Sequence, residues 1–246
     1  MKISQEQKSQ NRQAIIRAGV AVITEKGYRS ATMRQIAKAA GIGDATIYNY
    51  FTTKAAILYG YYTDHMQAVI EALKAMDSFH TFSLQEQLQT LYETSLEMYL
   101  GDREFVAQTY QRVLLGGSRD WKQIKPIRDV FLAAMDSMLS AAAEVGEIPD
   151  PVFQELTGQL FMDAYVGVIG YWLADDSETF SNTSVLIDRG LDLACALLKA
   201  GVANKVFDLA VFMFKTHILG RLDCLVQPTA TLNAIKRRFM EDTDDR

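Results

Sequence analysis

Cysteine, histidine and proline are scarce in this 246-residue chain, at two, three and four residues. Two cysteines, Cys195 and Cys224, cannot build a disulfide framework. Cys195, inside Leu193-Ala194-Cys195-Ala196-Leu197, reads as a small buried apolar side chain. A redox-sensing thiol needs a positive charge nearby, and Cys224, close to Arg221, is the better candidate for one. The histidines, His65, His80 and His217, are too scattered for metal-ligand spacing. No glycine-rich phosphate loop and no nucleophile motif stands out. The reading is therefore not an enzyme, with no metal and no cofactor implied. No apolar run approaches the roughly 18 residues of a membrane span. The start, Met1-Lys2-Ile3-Ser4-Gln5, lacks an apolar signal core. Both absences predict a cytoplasmic protein with no membrane partner.

Positive charge is also in the minority: 25 Lys and Arg stand against 30 Asp and Glu, for a net charge of −5. The imbalance is uneven along the chain. Residues 1–60 hold nine basic and three acidic residues, a net +6, which leaves −11 on the remainder. A basic head on an acidic body is the asymmetry expected where one end meets phosphates.

With few breakers, the periodicity predicts an all-α chain. A first helix spans about 9–26, with Ile15, Ala18 and Val22 on its apolar face and Gly27 as its C-cap. Thr32 and Gln35 form a capping box for a second helix, which ends at Gly41. A third, about seven residues long, begins near Gly43 or Asp44, and a fourth runs from about Thr53 to Met76. Ser83 and Glu86 cap a helix to about Leu100, and Asp102 opens one that ends at Gly116-Gly117. Pro126 marks the first turn of a helix to about Val145. Asp150-Pro151 supplies an N-cap and a first-turn proline for a helix to Ala174. Further helices cover about 181–201 and 204–222, and Pro228 starts a short terminal one.

The stretch from Ala31 to Phe51 carries the chemistry. A short helix, a glycine turn and a second short helix are the parts of a helix-turn-helix DNA reader. The third helix is short and polar on one face (Asp44, Ala45, Thr46, Asn49), so it fits a major groove about 12 Å wide. The Thr46 and Tyr48 hydroxyls, Lys54 and helix N-termini can bond phosphate oxygens. Arg34 can reach a guanine edge and Asn49 an adenine edge. Asp44 has two readings, an acceptor for cytosine N4 or a complement to the helix dipole. Phe51 reads as core, and Tyr50 as either core or contact. The candidate DNA-facing set is thus Thr32, Arg34, Asp44, Ala45, Thr46, Tyr48, Asn49, Tyr50 and Lys54.

These residues carry a family resemblance. The features are Ala14-Ile15-Ile16-Arg17-Ala18-Gly19, Glu25-Lys26-Gly27-Tyr28 before Thr32, Ile36 to Ile42, and above all Thr46-Ile47-Tyr48-Asn49-Tyr50-Phe51-Thr52-Thr53-Lys54. Over residues 10–60 the chain resembles the DNA-binding domain of TetR-family transcriptional regulators. The resemblance implies an N-terminal helix-turn-helix three-helix domain, residues 1–54, joined to a larger helical effector-binding and dimerisation domain, residues 55–246. It implies a homodimer on a palindromic double-stranded DNA operator, most often a repressor released by a small, largely apolar effector. By the same resemblance Arg34 contacts bases, Thr46 and Tyr48 touch phosphate or bases, and Lys54 binds phosphate. The helices that line the family's cavity place Tyr110, Phe131, Met135, Phe161 and Tyr165 in an effector pocket, with Arg103 or Arg112 available to anchor an acidic ligand. Helices 151–174 and 181–200 are expected to form a four-helix dimer interface through Leu160, Phe161, Ala164, Gly167, Val168 and Gly170. Segment 204–246 has an apolar stripe (Phe207, Val211, Phe214, Ile218, Leu222, Leu225) that either extends the dimer or closes over the sensor. The alternative is a ligand-binding adaptor or carrier of the same fold without DNA binding; the basic head argues against it.

Overall fold

Ser4 opens the first helix, earlier than the periodicity suggests, because its side chain accepts from the Gln7 N–H at 3.1 Å. The computed structural model describes residues 4–114 and 121–213. Among them every regular element is helical: α1 (Gln5–Ser30), α2 (Met33–Ala39), α3 (Lys54–Lys74), α4 (Leu84–Tyr99), α5 (Arg103–Val113), α6 (Trp121–Glu144), α7 (Gln154–Ala174), α8 (Ser181–Lys199) and α9 (Val202–Met213), with short 3-10 turns between some of them. By contacts the chain separates into two units, residues 1–200 and 201–246.

In the first unit, α1 buries Ile15, Ile16, Val22 and Ile23 against α2 and α3. A methyl group on Gly19 would meet Ile57 of α3 at 2.8 Å, so the two helices cross at van der Waals contact there. Gly27, expected as the C-cap, instead kinks α1 with φ 79° and ψ 150°, and the element runs on to Ser30 with Ala31 as its C-cap. The Thr32–Gln35 capping box is present in full. At the far end of α2, Gly41 (φ 71°) closes a Schellman turn, with Ile42 N–H donating to the Ala37 carbonyl at 3.0 Å. Thr53 caps α3 by accepting from Ala56 N–H, and the Ser83–Glu86 box caps α4. Tyr62, Tyr92, Tyr99, Phe105, Phe131, Tyr165 and Trp172 fill the centre of the sensor bundle formed by α3 to α8.

Two boundaries differ from expectation. Helix α6 starts at Trp121, so Pro126 lies inside its second turn, where it removes a backbone donor instead of opening the helix. Helix α7 starts at Gln154, and Asp150 and Pro151 only lead into it. Gln154 sets that start by donating to the Asp136 carbonyl, the Asp136 carboxylate and Ser140 Oγ on α6. The break after α7 is a knot of hydrogen bonds. Asp175 accepts from the backbone and hydroxyl of both Ser177 and Thr183, which holds its carboxyl well below the usual carboxylate range. Described residues of the second unit form α9, which exposes Val202, Val206, Leu209 and Phe212. The expected extension of that helix to 222, the terminal helix and Cys224 lie outside the described residues.

Candidate functional site

The expected third helix is shorter and tighter than its sequence suggests. Only Thr46–Asn49 are regular, as a 3-10 turn. The Gly43 carbonyl starts it, accepting from Thr46 N–H at 2.8 Å and Ile47 N–H at 3.4 Å. Gly43 offers no side-chain cap, and the turn has none. Ile47 is fully buried and Phe51 nearly so. With those two anchored, Asp44, Ala45, Tyr48 and Asn49 remain exposed, Tyr48 at 53%. Thr46 is half-buried.

Arg34 on α2 lies beside this turn, its Nε forming an ion pair with Asp44 Oδ2 at 3.1 Å. Both side chains are open to solvent, so the pair contributes little to stability. It gives Asp44 a third reading, as the partner that orients Arg34. Thr32 is exposed at the N-cap of α2. Tyr50 turns toward α1, its hydroxyl accepting from Asn11 Nδ2 at 2.9 Å. Of the nine candidates, Thr32, Arg34, Asp44, Ala45, Tyr48 and Asn49 are exposed together; Thr46 and Tyr50 are partly withdrawn.

Lys54 departs furthest from expectation. Its ammonium donates to the carbonyls of Tyr28, of Ala31 at 2.5 Å and of Arg29 at 3.4 Å, and sits 4.4 Å from the Tyr28 ring centre. An ammonium has three hydrogens, and each has an acceptor here. Lys54 thus ties the end of α1 to the start of α3 in this arrangement, leaving none for phosphate. Burial, and then the charge of Arg112, push its pKa down. A second strap joins the same helices: Arg12 makes a two-pronged pair with Asp64 at 2.6 and 2.9 Å, and Gln13 donates to the same carboxylate. Sequence reasoning missed these partners, which are 23 or more residues apart and carry no periodic signal.

The five candidate pocket residues are a packed core. Phe131 and Met135 are fully buried, Tyr165 and Phe161 nearly so, and the Phe131 and Tyr165 rings lie 5.4 Å apart. Tyr110 is half-buried; its hydroxyl donates to the Val166 carbonyl and fills the space over Gly170. None of the five lines either of two cavities: one of about 790 Å³ walled by α1, α3 and α5, with Tyr61, His65 and Phe105, or one of about 430 Å³ between α3 and α6. Neither candidate anchor is free. Arg103 donates to the Trp172 and Leu173 carbonyls and closes the C-terminus of α7. Arg112 lies over the Tyr28 ring. Through the core runs a string of polar groups: His65 Nε2 and Ser95 Oγ hydrogen bond at 2.8 Å, and Ser95 Oγ and Tyr165 OH at 2.5 Å. Cys195 is buried, which pushes its thiol up to about 11 and keeps it protonated. The described residues contain no group of three or more His, Cys, Asp or Glu able to hold a metal, and no helix long and apolar enough to cross a membrane.

Residues 15–59 match the family described as bacterial regulatory proteins, tetR family, and residues 87–213, over half of the chain, match the tetracyclin repressor-like C-terminal domain. The chain belongs to the TetR family. It is a transcriptional regulator with a helix-turn-helix DNA-binding domain and a helical ligand-binding domain, and the adaptor alternative falls away. Among relatives of this TetR protein, the fatty acid metabolism regulator protein of Bacillus subtilis (strain 168) is 27% identical over 164 residues, covering 67% of this chain and 84% of that one. The structure of the transcriptional regulator FadR from Bacillus subtilis in complex with stearoyl-CoA shares the fold at TM-score 0.58 and 24% identity, over 77% of this chain and 98% of that one. The fatty acid degradation regulator FadR from Bacillus halodurans does so at TM-score 0.59 and 23% identity, over 81% and 97%.

Proposed function

We propose that the protein is a repressor that two copies hold on a palindromic operator and that a fatty acyl effector releases. The exposed Tyr48–Asn49 edge, presented by the buried Ile47 and Phe51 beside Arg34, carries the DNA reading. Residues 1–54 act as the reading head and 55–246 as the sensor and dimer body. Arg34 and Asn49 read base edges, Tyr48, Thr46 and Thr32 contact the backbone, and Lys54 supports the head from behind.

The effector reading rests on relatives. A related regulator holds stearoyl-CoA, and the core around Phe131, Met135, Phe161 and Tyr165 is of the apolar, methionine- and aromatic-rich kind that takes an acyl chain. That core is closed here, so the effector must favour an opened bundle over the closed one; a ligand indifferent to the two states releases nothing. The dimer reading rests on the outward faces of α7 and α8. Leu156, Leu160 and Tyr171 on α7 and Leu186, Leu193 and Leu197 on α8 are exposed, as are the small Ala164 and Gly167. Phe161 and Val168, expected in that interface, are buried within the subunit instead.

Selection from random duplex DNA, followed by anisotropy titration, tests all three. The expected product is an inverted repeat bound with a steep salt dependence. Stearoyl-CoA is expected to weaken that binding. If it leaves affinity unchanged while the repeat is still selected, the effector reading fails and the DNA reading stands.

A further inference from the structure

Tyr28, in the last turn of α1 just after the Gly27 kink, meets two cations from opposite parts of the chain. Lys54 Nζ lies 4.4 Å from its ring centre and the Arg112 guanidinium 4.6 Å from it. Lys54 is the first residue of α3; Arg112 is in the last turn of α5, in the sensor. Two positive groups on one ring repel each other, and the negative face of the tyrosine offsets part of that repulsion. One helical turn before Arg112, Gln108 Nε2 donates to the Thr24 carbonyl at 3.1 Å. Residues four apart share a helix face, so one side of α5 grips the end of α1 at two points. The chain it grips, residues 24–31, leads directly into Thr32 and Arg34. Lys54 binds three carbonyls of the same segment from the other side.

We propose that Arg112 is a positioning residue for DNA recognition: through the Tyr28 ring and Lys54 it sets the α1–α2 turn against the start of α3, and so fixes where Arg34 and Tyr48 meet the operator. Arg112 itself touches no DNA. Sensor helix α5 thereby reaches the reading head through side chains, with no need for backbone continuity. The inference rests on the reading that this head binds DNA, and its tests separate the two.

The first test measures operator affinity by anisotropy across salt concentrations. Arg112→Ala is expected to weaken binding by about two- to fivefold, the size of a partly exposed cation–aromatic contact, with the salt slope unchanged. Arg112→Lys and Tyr28→Phe keep a cation and a ring and are expected to restore affinity. Arg112→Ala combined with Tyr28→Ala should bind no worse than Tyr28→Ala alone. Wild-type affinity in Arg112→Ala, additive losses in the double variant, or a salt slope reduced by about 0.9, as a lost phosphate contact gives, each overturns the proposal. Tyr48→Ala serves as the control: if it too binds as wild type, the DNA interface is misplaced. The second test needs no DNA. Lysine ¹⁵N NMR titration is expected to show the Lys54 pKa rising in Arg112→Ala, because a neighbouring positive charge is gone. An unchanged Lys54 titration sinks the proposal whatever the operator data show.

Discussion

A single imidazole couples this fold to pH. His65 is 9% exposed, stacked on Tyr99 with ring centres 3.4 Å apart and hydrogen bonded to Ser95. Burial pushes its pKa down to about 3. Its aromatic neighbours Tyr61, Tyr99 and Tyr165 have their own pKa values raised, so they stay neutral across the same range. An unfolded histidine titrates near 6.5. Below that pH the unfolded chain binds a proton that the folded chain refuses, so stability falls as pH drops from about 6.5 toward 3. At pH 5 the loss from this group is about 2 kcal/mol relative to pH 7.5, given pKa values of about 6.5 and 3. Urea denaturation at both pH values, at fixed protein concentration, measures it. In His65→Gln that increment should vanish, and an equal pH slope in the variant would assign the dependence to other groups.

At the scale of elements, boundaries set by local chemistry were legible and those set by distant partners were not. The Thr32–Gln35 and Ser83–Glu86 boxes, the Gly41 turn and the break at Asp175 all stand where the sequence puts them, because each is a hydrogen-bond pattern within a few residues. The reading turn tightened, and α7 began late, because Ile47 and Gln154 answer to helices elsewhere in the chain. Lys54 was placed correctly at the start of a helix, but its partners within the fold were not legible, since these acceptors lie 23 to 26 residues earlier. The pocket residues were found as a cluster, yet composition cannot distinguish a cavity lining from a packed core. Gly27 gives the sharpest element-level prediction. Its φ of 79° with ψ of 150° is open to glycine alone, and no atom lies within 4 Å of where a Cβ would stand. Strain without crowding is therefore the whole cost of Gly27→Ala, about 1–3 kcal/mol. Denaturant unfolding should show that loss. A neutral substitution would mean that the α1–α2 turn relaxes freely, and that Lys54 and Tyr28 do not hold it.

Across the whole molecule, a head of net +6 and a body of net −11 divide the work. On the proposed reading, the head attracts phosphate and the body holds two heads at the spacing of two major grooves. The outward α7–α8 face is the surface suited to pairing: Leu160 and Leu193 are 61% and 62% exposed, among leucines at helical spacing that a lone subunit leaves in water. A two-fold axis sets each patch against its own copy, so one added charge per patch appears twice and faces itself. Leu160→Glu with Leu193→Glu should therefore give a folded monomer by sedimentation and circular dichroism. Its operator affinity should fall far more than a single-residue DNA contact explains, because binding as a linked pair is lost. Arg34→Ala, by contrast, should leave the dimer intact and relax base preference at one position in each half-site, by about 1–3 kcal/mol. If the double glutamate variant still sediments as a dimer, the pairing surface lies elsewhere, and the exposed Val206, Leu209 and Phe212 of α9 become the next face to charge.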